Sequence, residues 1–458
     1  MNLHVTSGKS AGNPALAVRV IIETGFIIGG LLANLILLPR TLTGDALTRF
    51  NELSQLLTTH TLSTGIYSLV GPLFAAPFWY LGKVNETPAW WCLRFNIVLL
   101  ALGMLVFYLL LRNRLDRSLL RTFLILLVFA SMLTQQLTDF DAEIFTALFV
   151  MIGATLVAQR RGKIGWPMIV IGVANVPASL VGLGLMTLTR IWSTRYLRYI
   201  VVPAVAAGLV GAQDWIRFGN PFDSGYHGFN GNLGFRTVMP YSGLPGFSYP
   251  IFFGLLSILF SFGKGLVFYM PGLFVPVRKR LWAMGKAGQE IYATYKLWLA
   301  FLIGLVLVYS HWWAWYGGWY WGPRFFLFGS MIACFALALI VHRPSDALLA
   351  NVVYLAALLL SFWVGIDGAL FGQSTLAGVC TSNNYALEAF CHYTPEFSAL
   401  WRPFVVYEPL TAGHFVYLAF SLIVCAYVAL PLLQQMVPQV GEQLSRLRLV
   451  YMRQSWHF

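Results

Sequence analysis

The chain has 458 residues, of which 58% are hydrophobic and only 10% are charged, and its formal net charge is +13. This composition lies far outside that of soluble domains, so the solvent that fits is a bilayer. The positive charge does not indicate nucleic-acid binding, because the basic residues form short clusters between apolar runs. No barrel-strand alternation occurs, and repeated apolar runs must be helical in hydrocarbon. The sequence therefore predicts an all-α, polytopic membrane protein.

Apolar runs predict about twelve membrane spans, each near the 20 residues that cross a bilayer or somewhat shorter. They lie near residues 15–38, 92–111, 119–136, 143–159, 165–190 (a broken pair), 198–214, 264–277, 297–311, 325–341, 347–365 and 412–433. The first run lacks a small-residue cleavage site, so we expect it to be a span and not a cleaved signal peptide. Most Lys and Arg residues lie on one side of this arrangement, which predicts that this side and both termini are cytoplasmic.

Three long segments fall on the outer side of this topology, within a single integral membrane domain of residues 1–458. They are residues 39–91, 214–263 and 366–411. We expect interfacial helices in the first, because its apolar part is too broken by prolines to span. The third carries Cys380 and Cys391 in an oxidising compartment, which favours a disulfide. Residues 434–458 alternate apolar and basic residues and are predicted to form a cytoplasmic amphipathic tail.

Asp45 directly follows the first span, at the outer mouth of the membrane. A carboxylate there is costly unless it is solvated or paired. It could act as a general base that removes a proton from an acceptor hydroxyl. It could equally cap the helix-like run that follows it. The residue pattern alone leaves both interpretations open.

Asp139, Asp141 and Glu143 form a second acidic group in a short outer turn. Carboxylates this close repel one another unless cations, donors or water compensate them. They could form a solvated turn in which Asp141 caps the next helix. Alternatively, together with Glu52, they could face Asp45 across a cavity and position an acceptor or a divalent cation. The sequence requires no cofactor, and no metal-ligand spacing supports a cation.

The run from His311 to Arg324 is the most unusual segment of the chain. Its aromatic side chains fit either an interfacial belt or stacking faces for sugar rings and prenyl chains: Trp315, Tyr316, Trp319 and Tyr320. An arginine at the start of a span suits a phosphate, because its planar fork binds oxyanions and the helix N-terminus adds donors. Lys264 occupies a similar place between two glycines, with a snorkelling lysine as the alternative. Arg217 is a further candidate cation.

Taken in order, these residues resemble the GT-C superfamily of membrane glycosyltransferases, which use polyprenyl-phosphate-linked sugars. The narrower resemblance is to the bacterial branch related to protein mannosyltransferases and the aminoarabinose transferase, and it covers nearly the whole chain. The segments that carry it are Gly44-Asp45 with Arg49, residues 138–143, Arg217-Phe218-Gly219-Asn220-Pro221 leading to Ser224-Gly225-Tyr226, Phe262-Gly263-Lys264-Gly265-Leu266, and Gly317-Gly318-Trp319 leading to Gly322-Pro323-Arg324.

The resemblance implies an inverting transfer of a sugar from a polyprenyl-phosphate donor to a hydroxyl of a glycan, lipid or protein. The reaction would take place on the outer face of a bacterial inner membrane, with Asp45 as the catalytic base. The residues implied to hold the donor phosphate are Arg324, Lys264, Arg217 and Arg49. Ala46 departs from the branch, where an acidic pair is usual, so the acceptor is not carried over.

Two other functions fit parts of the sequence. A transporter or lipid flippase would use discontinuous helices such as the stretch from Gly172 to Pro177, although the spans lack charged residues near the midplane. A polysaccharide ligase with a diphosphate lipid donor would rely on outer arginines and a histidine, for which His392 and His414 are available. A reaction assay separates these functions, since transport consumes no lipid-linked sugar.

Overall fold

The computed structural model describes residues 14–226, 246–372 and 376–454, and in these parts all regular secondary structure is helical. This confirms the predicted all-α class. The α-helices are α1 (Pro14–Leu37), α2 (Gly44–Thr59), α3 (Val70–Phe74), α4 (Ala76–Val84), α5 (Pro88–Cys92), α6 (Phe95–Leu111), α7 (Arg117–Phe129), α8 (Leu133–Gln136), α9 (Glu143–Ala158), α10 (Gly162–Asn175), α11 (Leu180–Thr194), α12 (Val201–Phe218), α13 (Ile251–Phe260), α14 (Leu266–Tyr269), α15 (Arg278–Trp282), α16 (Gly285–Ser310), α17 (Leu327–His342), α18 (Leu348–Leu370), α19 (Leu376–Tyr385, kinked at 382–384), α20 (Glu388–Tyr393) and α21 (Ala412–Gln454). Short 3-10 helices lie at Pro177–Ser179, Leu197–Ile200, Pro271–Phe274, Arg324–Phe326, Pro395–Phe397 and Arg402–Phe404.

Seven helices in the described part of the chain are long and apolar enough to cross a membrane. They are Leu16–Leu37, Pro88–Leu111, Leu197–Phe218, Gly285–Ser310, Arg324–His342, Leu348–Leu370 and Ala412–Ser445. Four further predicted spans form the shorter helices α7, α9, α10 and α11, of 13 to 16 residues. Ile21 and Ile36 of α1 are 70% and 73% exposed. Exposed apolar side chains are expected on a helix surface that contacts lipid.

The predicted span 264–277 is not one helix in the structure. It consists of α14, a 3-10 turn at Pro271–Phe274 and extended residues. At the start of the segment, Lys264 contacts the loop that precedes α17. Just after the end of the segment, Arg280 donates to the carbonyl of Arg343, which follows α17. The segment thus runs the length of α17. Non-helical backbone at this depth is tolerated because protein surrounds it: Tyr269 and Met270 are buried.

The other boundaries differ at two places. The helix predicted at 297–311 begins earlier, at Gly285, because its first turns are polar and carry no hydropathy signal. The last span and the predicted tail are one continuous helix, α21, that includes Pro431 and Pro438. The basic side chains of residues 446–454, and His227 of the second outer segment, lie outside the described residues.

The centre of the bundle is formed by α7, α9, α16 and α17. Phe335 of α17 packs against Phe123 of α7 and Trp298 of α16, with ring centroids 5.7 Å apart in both pairs. Gly182 of α11 lies against Gly304 of α16, and their missing side chains let the two backbones approach closely. The core therefore packs α16 against both α17 and α11.

Glu23 is a buried charge inside the first span that the sequence analysis did not single out. Its carboxylate accepts from Arg121 at 2.5 Å, Arg19 at 2.9 Å, Tyr427 at 3.2 Å and Ser118 at 3.3 Å. Such a network compensates a charge that would otherwise be costly within a membrane span. It joins α1, α7 and α21 at the end of the bundle where α1 begins.

Candidate active site

The site end of the bundle is the end where α2, residues 138–143 and residues 317–324 meet. Asp45 lies here in the first turn of α2. Its Oδ2 accepts from Nη2 of Arg324 at 2.6 Å, and its Oδ1 accepts from the hydroxyl of Tyr67 at 2.7 Å. The N-cap of α2 is Thr43, whose side chain makes no capping hydrogen bond. The carboxylate of Asp45 therefore faces other elements and does not cap the helix, so the capping interpretation is wrong.

The backbone before Asp45 is shaped by close contact with Tyr320. The N–H of Asp45 donates to the hydroxyl oxygen of Tyr320 at 2.7 Å. Gly44 has a φ of +51°, and a side chain there would collide with the same hydroxyl. Glycine satisfies both requirements, because it adopts left-handed conformations without a steric cost. Gly44 and Tyr320 thus fix the position of the Asp45 carboxylate.

Asp45 combines a lowered pKa with a partly exposed side chain. Burial acts to raise the pKa of its carboxyl, but the charge of Arg324, hydrogen bonds from Tyr67 and Arg324, and the nearby Arg49 together hold that pKa below its ordinary value. Its side chain remains 19% exposed, against 7% for Arg324. A charged carboxylate with one accessible edge can accept a proton from a bound hydroxyl.

Arg324 lies between the two acidic groups at the start of the span that contains α17. Besides Asp45, it donates through Nε to the carbonyl of Gly317 at 2.7 Å, and its guanidinium carbon lies 3.8 Å from the ring centroid of Tyr320. Its Nη1 is 3.9 Å from Oδ1 of Asp141, and neither atom has a hydrogen-bond partner. Arg324 therefore lies in ion-pair range of both Asp45 and Asp141, and its Nη1 makes no hydrogen bond.

The second acidic group is a buried turn and not a solvated one. Asp139 and Asp141 are 8% and 5% exposed, and Asn96 donates to both of their backbone carbonyls, at 2.9 and 3.2 Å. Asp139 accepts from the N–H of Phe140, whereas the N-cap of α9 is Ala142, so Asp141 caps nothing. Burial raises the pKa of Asp141 well above its ordinary value, and the charge of Glu143 adds to this, against Arg324.

Glu143 begins α9 and points one carboxylate oxygen into the protein without a hydrogen-bond partner. It lines a cavity of about 20 Å³ together with Tyr309 and Phe325. A cavity of this size holds about one water molecule. Among the described residues, Arg324 is the arginine in ion-pair range of this group, through Asp141.

Burial raises the pKa of Asp139 to about 6, opposed by the Phe140 N–H and Arg324 and supported by Asp45 and Glu143. The unfolded chain releases this proton near pH 3.9. The folded state therefore binds more protons between these values, and its stability should fall as the pH rises from about 4 to about 6. Asp139→Asn cannot ionise and can still accept from Phe140, so its stability should fall less steeply over this range than that of the wild type.

Melting temperatures of the detergent-solubilised chain between pH 4 and pH 7 test this expectation. The matched control is Asp346→Asn, which replaces an exposed acid between α17 and α18. Its melting temperature should change with pH as that of the wild type does. Parallel curves for wild type and Asp139→Asn would show that Asp139 releases its proton at an ordinary pH.

Arg49 lies one turn after Asp45 on α2 and is 6% exposed. Its guanidinium carbon lies 4.4 Å from the ring centroid of Tyr67, but its Nε and Nη1 have no hydrogen-bond partner. Leaving charged donors buried and unpaired costs free energy that an anionic ligand would recover. Arg49 is therefore the described cation at the site end best placed to bind an anion.

Arg217 and Glu52 pair with each other instead of lining an open site. Nη2 of Arg217 lies 3.4 Å from Oε2 of Glu52, Nε donates to the carbonyl of Ser63 at 3.0 Å, and Nη1 donates to the carbonyl of Tyr67. All three guanidinium nitrogens are thus engaged. These contacts hold the loop that carries Tyr67 against α2, a positioning role that the sequence did not indicate for either residue.

Lys264 is likewise engaged. Its ammonium donates to the carbonyls of Gly318 at 3.2 Å, Gly322 at 3.0 Å and Tyr320. An ammonium has only three N–H groups, so Lys264 pins the loop before Arg324 and has no donor left for a phosphate.

Three of the four predicted stacking residues pack around His392. Ring centroids of Trp315, Tyr316 and Trp319 lie 5.4, 4.3 and 5.4 Å from that of His392. Burial and Lys264 lower the pKa of His392 well below its ordinary value. Trp315 and Tyr316 are buried and Trp319 is half-buried, and of the four residues it is Tyr320 that contacts Asp45.

The same region holds the disulfide. Cys380 and Cys391 are bonded, with their Cα atoms 6.0 Å apart, and Cys391 directly precedes His392. The carbonyl of His392 accepts from the N–H of Gly263, next to Lys264. The disulfide therefore supports the aromatic cluster that borders the site. His414, the other histidine considered, lies in the first turn of α21 beside Thr411.

Tyr67 is the site residue that the sequence analysis missed. It lies in an irregular stretch between α2 and α3, yet it contacts both Asp45 and Arg49. A tyrosine in an outer loop has no pattern that distinguishes it from an interfacial aromatic. The helix before it, α2, contains no proline, and no other local pattern in the sequence marks Tyr67.

A metal site is not formed by the described residues, among which no three His, Cys, Asp or Glu side chains are grouped to hold an ion. The place between Asp45 and Asp141, where a cation was one alternative, is filled by the guanidinium of Arg324. The positive charge at this site is therefore supplied by arginine.

No family model and no curated protein matches the chain. One similar solved structure is that of ArnT from Cupriavidus metallidurans bound to undecaprenyl phosphate, with a TM-score of 0.45 and 14% sequence identity. The alignment covers 92% of this chain and 78% of that chain. At this TM-score and identity the similarity alone assigns neither an activity nor a residue role.

Proposed function

We propose that the chain is a membrane glycosyltransferase that moves a sugar from a polyprenyl-phosphate donor to an acceptor hydroxyl on the non-cytoplasmic side of the membrane. The observation that carries the proposal is the pairing of two groups one helical turn apart on α2. Asp45 is an accessible, ionised carboxylate, and Arg49 is a buried guanidinium with unpaired donors. A base and an anion-binding cation at the end of a membrane span are what transfer from a lipid phosphate requires.

In the proposed reaction the acceptor oxygen attacks the anomeric carbon as Asp45 takes its proton. The new carbon–oxygen bond forms on the face opposite the phosphate, and the bond from the anomeric carbon to the phosphate oxygen breaks. Its electron pair leaves with the polyprenyl phosphate, so the configuration at the anomeric carbon is inverted. A positioned general base of this kind contributes about a hundredfold to ten-thousandfold to the rate.

The depressed pKa of Asp45 makes it a weak base in the free protein, because Arg324 stabilises its charged form. A donor phosphate bound beside Arg324 would share that guanidinium and weaken its hold on Asp45. The pKa of Asp45 would then rise toward the range of an effective base. Base strength would therefore appear only once the donor is in place, which protects the site from reacting without it.

The leaving phosphate is assigned to Arg49 and to the free Nη1 of Arg324. Charge on the phosphate oxygen grows as the sugar departs, so donors already in position stabilise the transition state more than the ground state. Lys264 and Arg217 act through other groups: they hold the loop before Arg324 and the loop of Tyr67. The prenyl chain stays in the bilayer, and the acceptor is a glycan, a lipid or a protein.

A transfer assay tests the proposal. The purified full chain is reconstituted into right-side-out vesicles and given a panel of polyprenyl-monophosphate sugars with hydroxyl acceptors outside. We expect polyprenyl phosphate and the glycosylated acceptor to appear in equal amounts. Movement of the donor between leaflets without its consumption would indicate a flippase, and consumption of a polyprenyl-diphosphate glycan alone would indicate a ligase. Either result contradicts the proposal.

A further inference from the structure

A second concave site lies at the end of the bundle opposite the site end. It is a cleft of about 490 Å³ between the last turns of α6, the end of α9 and the first turn of α16. The lining residues that bear on its chemistry are Leu109, Leu110, Arg114, Arg161, Lys286 and Glu290. None of them belongs to the candidate active site.

The placement of this cleft follows from its three helices. In α6, Asn96 of the first turn contacts Asp139 at the site end. α9 begins at Glu143, and α16 ends at Ser310, next to the aromatic run. At 1.5 Å per residue α9 is about 24 Å long, so the cleft lies about that distance from the site. The charge pattern of the sequence predicts that this end faces the cytoplasm.

The lining of the cleft combines cations with an apolar wall. Arg114, Arg161 and Lys286 face one acid, Glu290, which pairs with Arg114. In the described part of the chain, Arg161 and Lys286 have no ion-pair partner. Leu109 and Leu110 supply the wall on the side of the bilayer core. A cleft that is cationic at its mouth and apolar toward the membrane matches an amphiphile with an anionic head.

We propose that the cleft binds the phosphate-bearing headgroup of an anionic phospholipid from the cytoplasmic leaflet. Its volume lies in the range of about 300–1,000 Å³ that is typical of small-molecule sites. Basic pockets between helices at this depth bind anionic headgroups, because the leaflet supplies them at high local concentration. A bound headgroup would link α6, α9 and α16, the three helices whose other ends reach the candidate active site.

Lipid binding to the delipidated full chain in detergent, followed by native mass spectrometry, tests the proposal. Phosphatidylglycerol should bind the wild type more tightly than phosphatidylcholine does. The double variant Arg161→Gln and Lys286→Gln should weaken phosphatidylglycerol binding by about tenfold, since each basic residue contributes to headgroup attraction. The matched control, Arg278→Gln and Lys279→Gln, removes the same charge from α15, outside the cleft, and should bind like the wild type.

Three results would overturn the proposal. Equal binding of the two lipids by the wild type would show that the headgroup charge is not recognised. Equal losses in the cleft and control variants would show a general surface attraction and not a site. Displacement of phosphatidylglycerol by millimolar inorganic phosphate, with phosphate itself bound, would show that the ligand is a soluble anion. Unchanged melting temperatures and circular dichroism establish that the variants remain folded.

Discussion

Asp45→Asn should lower the turnover of the transfer reaction by about a hundredfold or more, in line with the contribution of a positioned general base. Asn has nearly the same size, and its amide oxygen can still accept from Arg324 or Tyr67, the two donors that hold Asp45. It cannot take a proton from the acceptor. We therefore expect the variant to bind the donor and to melt near the wild-type temperature while it loses the chemical step.

The control for this experiment is Glu86→Gln, an exposed acid in the same outer segment as Asp45. It removes the same charge from the same side of the protein and should leave turnover unchanged. If Asp45→Asn transfers sugar normally while Asp141→Asn abolishes transfer, the base belongs to the second acidic group. If Asp45→Asn and Asp141→Asn both lose activity and both melt at a lower temperature, the two acids stabilise the fold and the assignment of Asp45 as the base fails.

Hydropathy could predict the fold class and the position of the site loops, because apolar runs report which solvent a helix meets. It could not predict the conformation of residues 264–277. Those residues are as apolar as a span, yet they cross beside α17 partly without helical structure. The composition of a segment indicates only that it is buried. Whether its backbone can be non-helical there depends on the protein around it, and here Ala333 of α17 lies against Gly272.

The site itself could be predicted in its residue types but not in its pairings. The position of Asp45 after the first span was sufficient to make it a candidate, since few reasons keep a carboxylate there. Lys264 and Arg217 looked equivalent to Arg49 in sequence, because each is a cation at the outer end of a helix. Their difference comes from contacts 54 to 165 positions away in the chain, with Gly318 for Lys264 and with Glu52 for Arg217. No local pattern reports such contacts.

Replacement of Arg49 should weaken donor binding more than replacement of Lys264 or Arg217. Its Nε and Nη1 are buried without partners, whereas every nitrogen of Arg217 and the ammonium of Lys264 already have acceptors. Arg49→Ala should raise the KM for the polyprenyl-phosphate sugar by about tenfold to a hundredfold, the loss expected for a charge-assisted hydrogen bond. Arg49→Lys should recover only part, because a point charge lacks the planar fork.

The matched control is Arg94→Ala, which removes an arginine from the same outer region. Arg94 stacks on Trp90 and donates to its carbonyl, so its guanidinium serves its own helix and should leave donor kinetics unchanged. Steady-state assays with saturating acceptor separate the two residues, and melting temperatures exclude unfolding. Equal KM values for wild type and Arg49→Ala would mean that the unpaired donors of Arg49 face no phosphate, and Arg324 would then be the candidate for holding the leaving group.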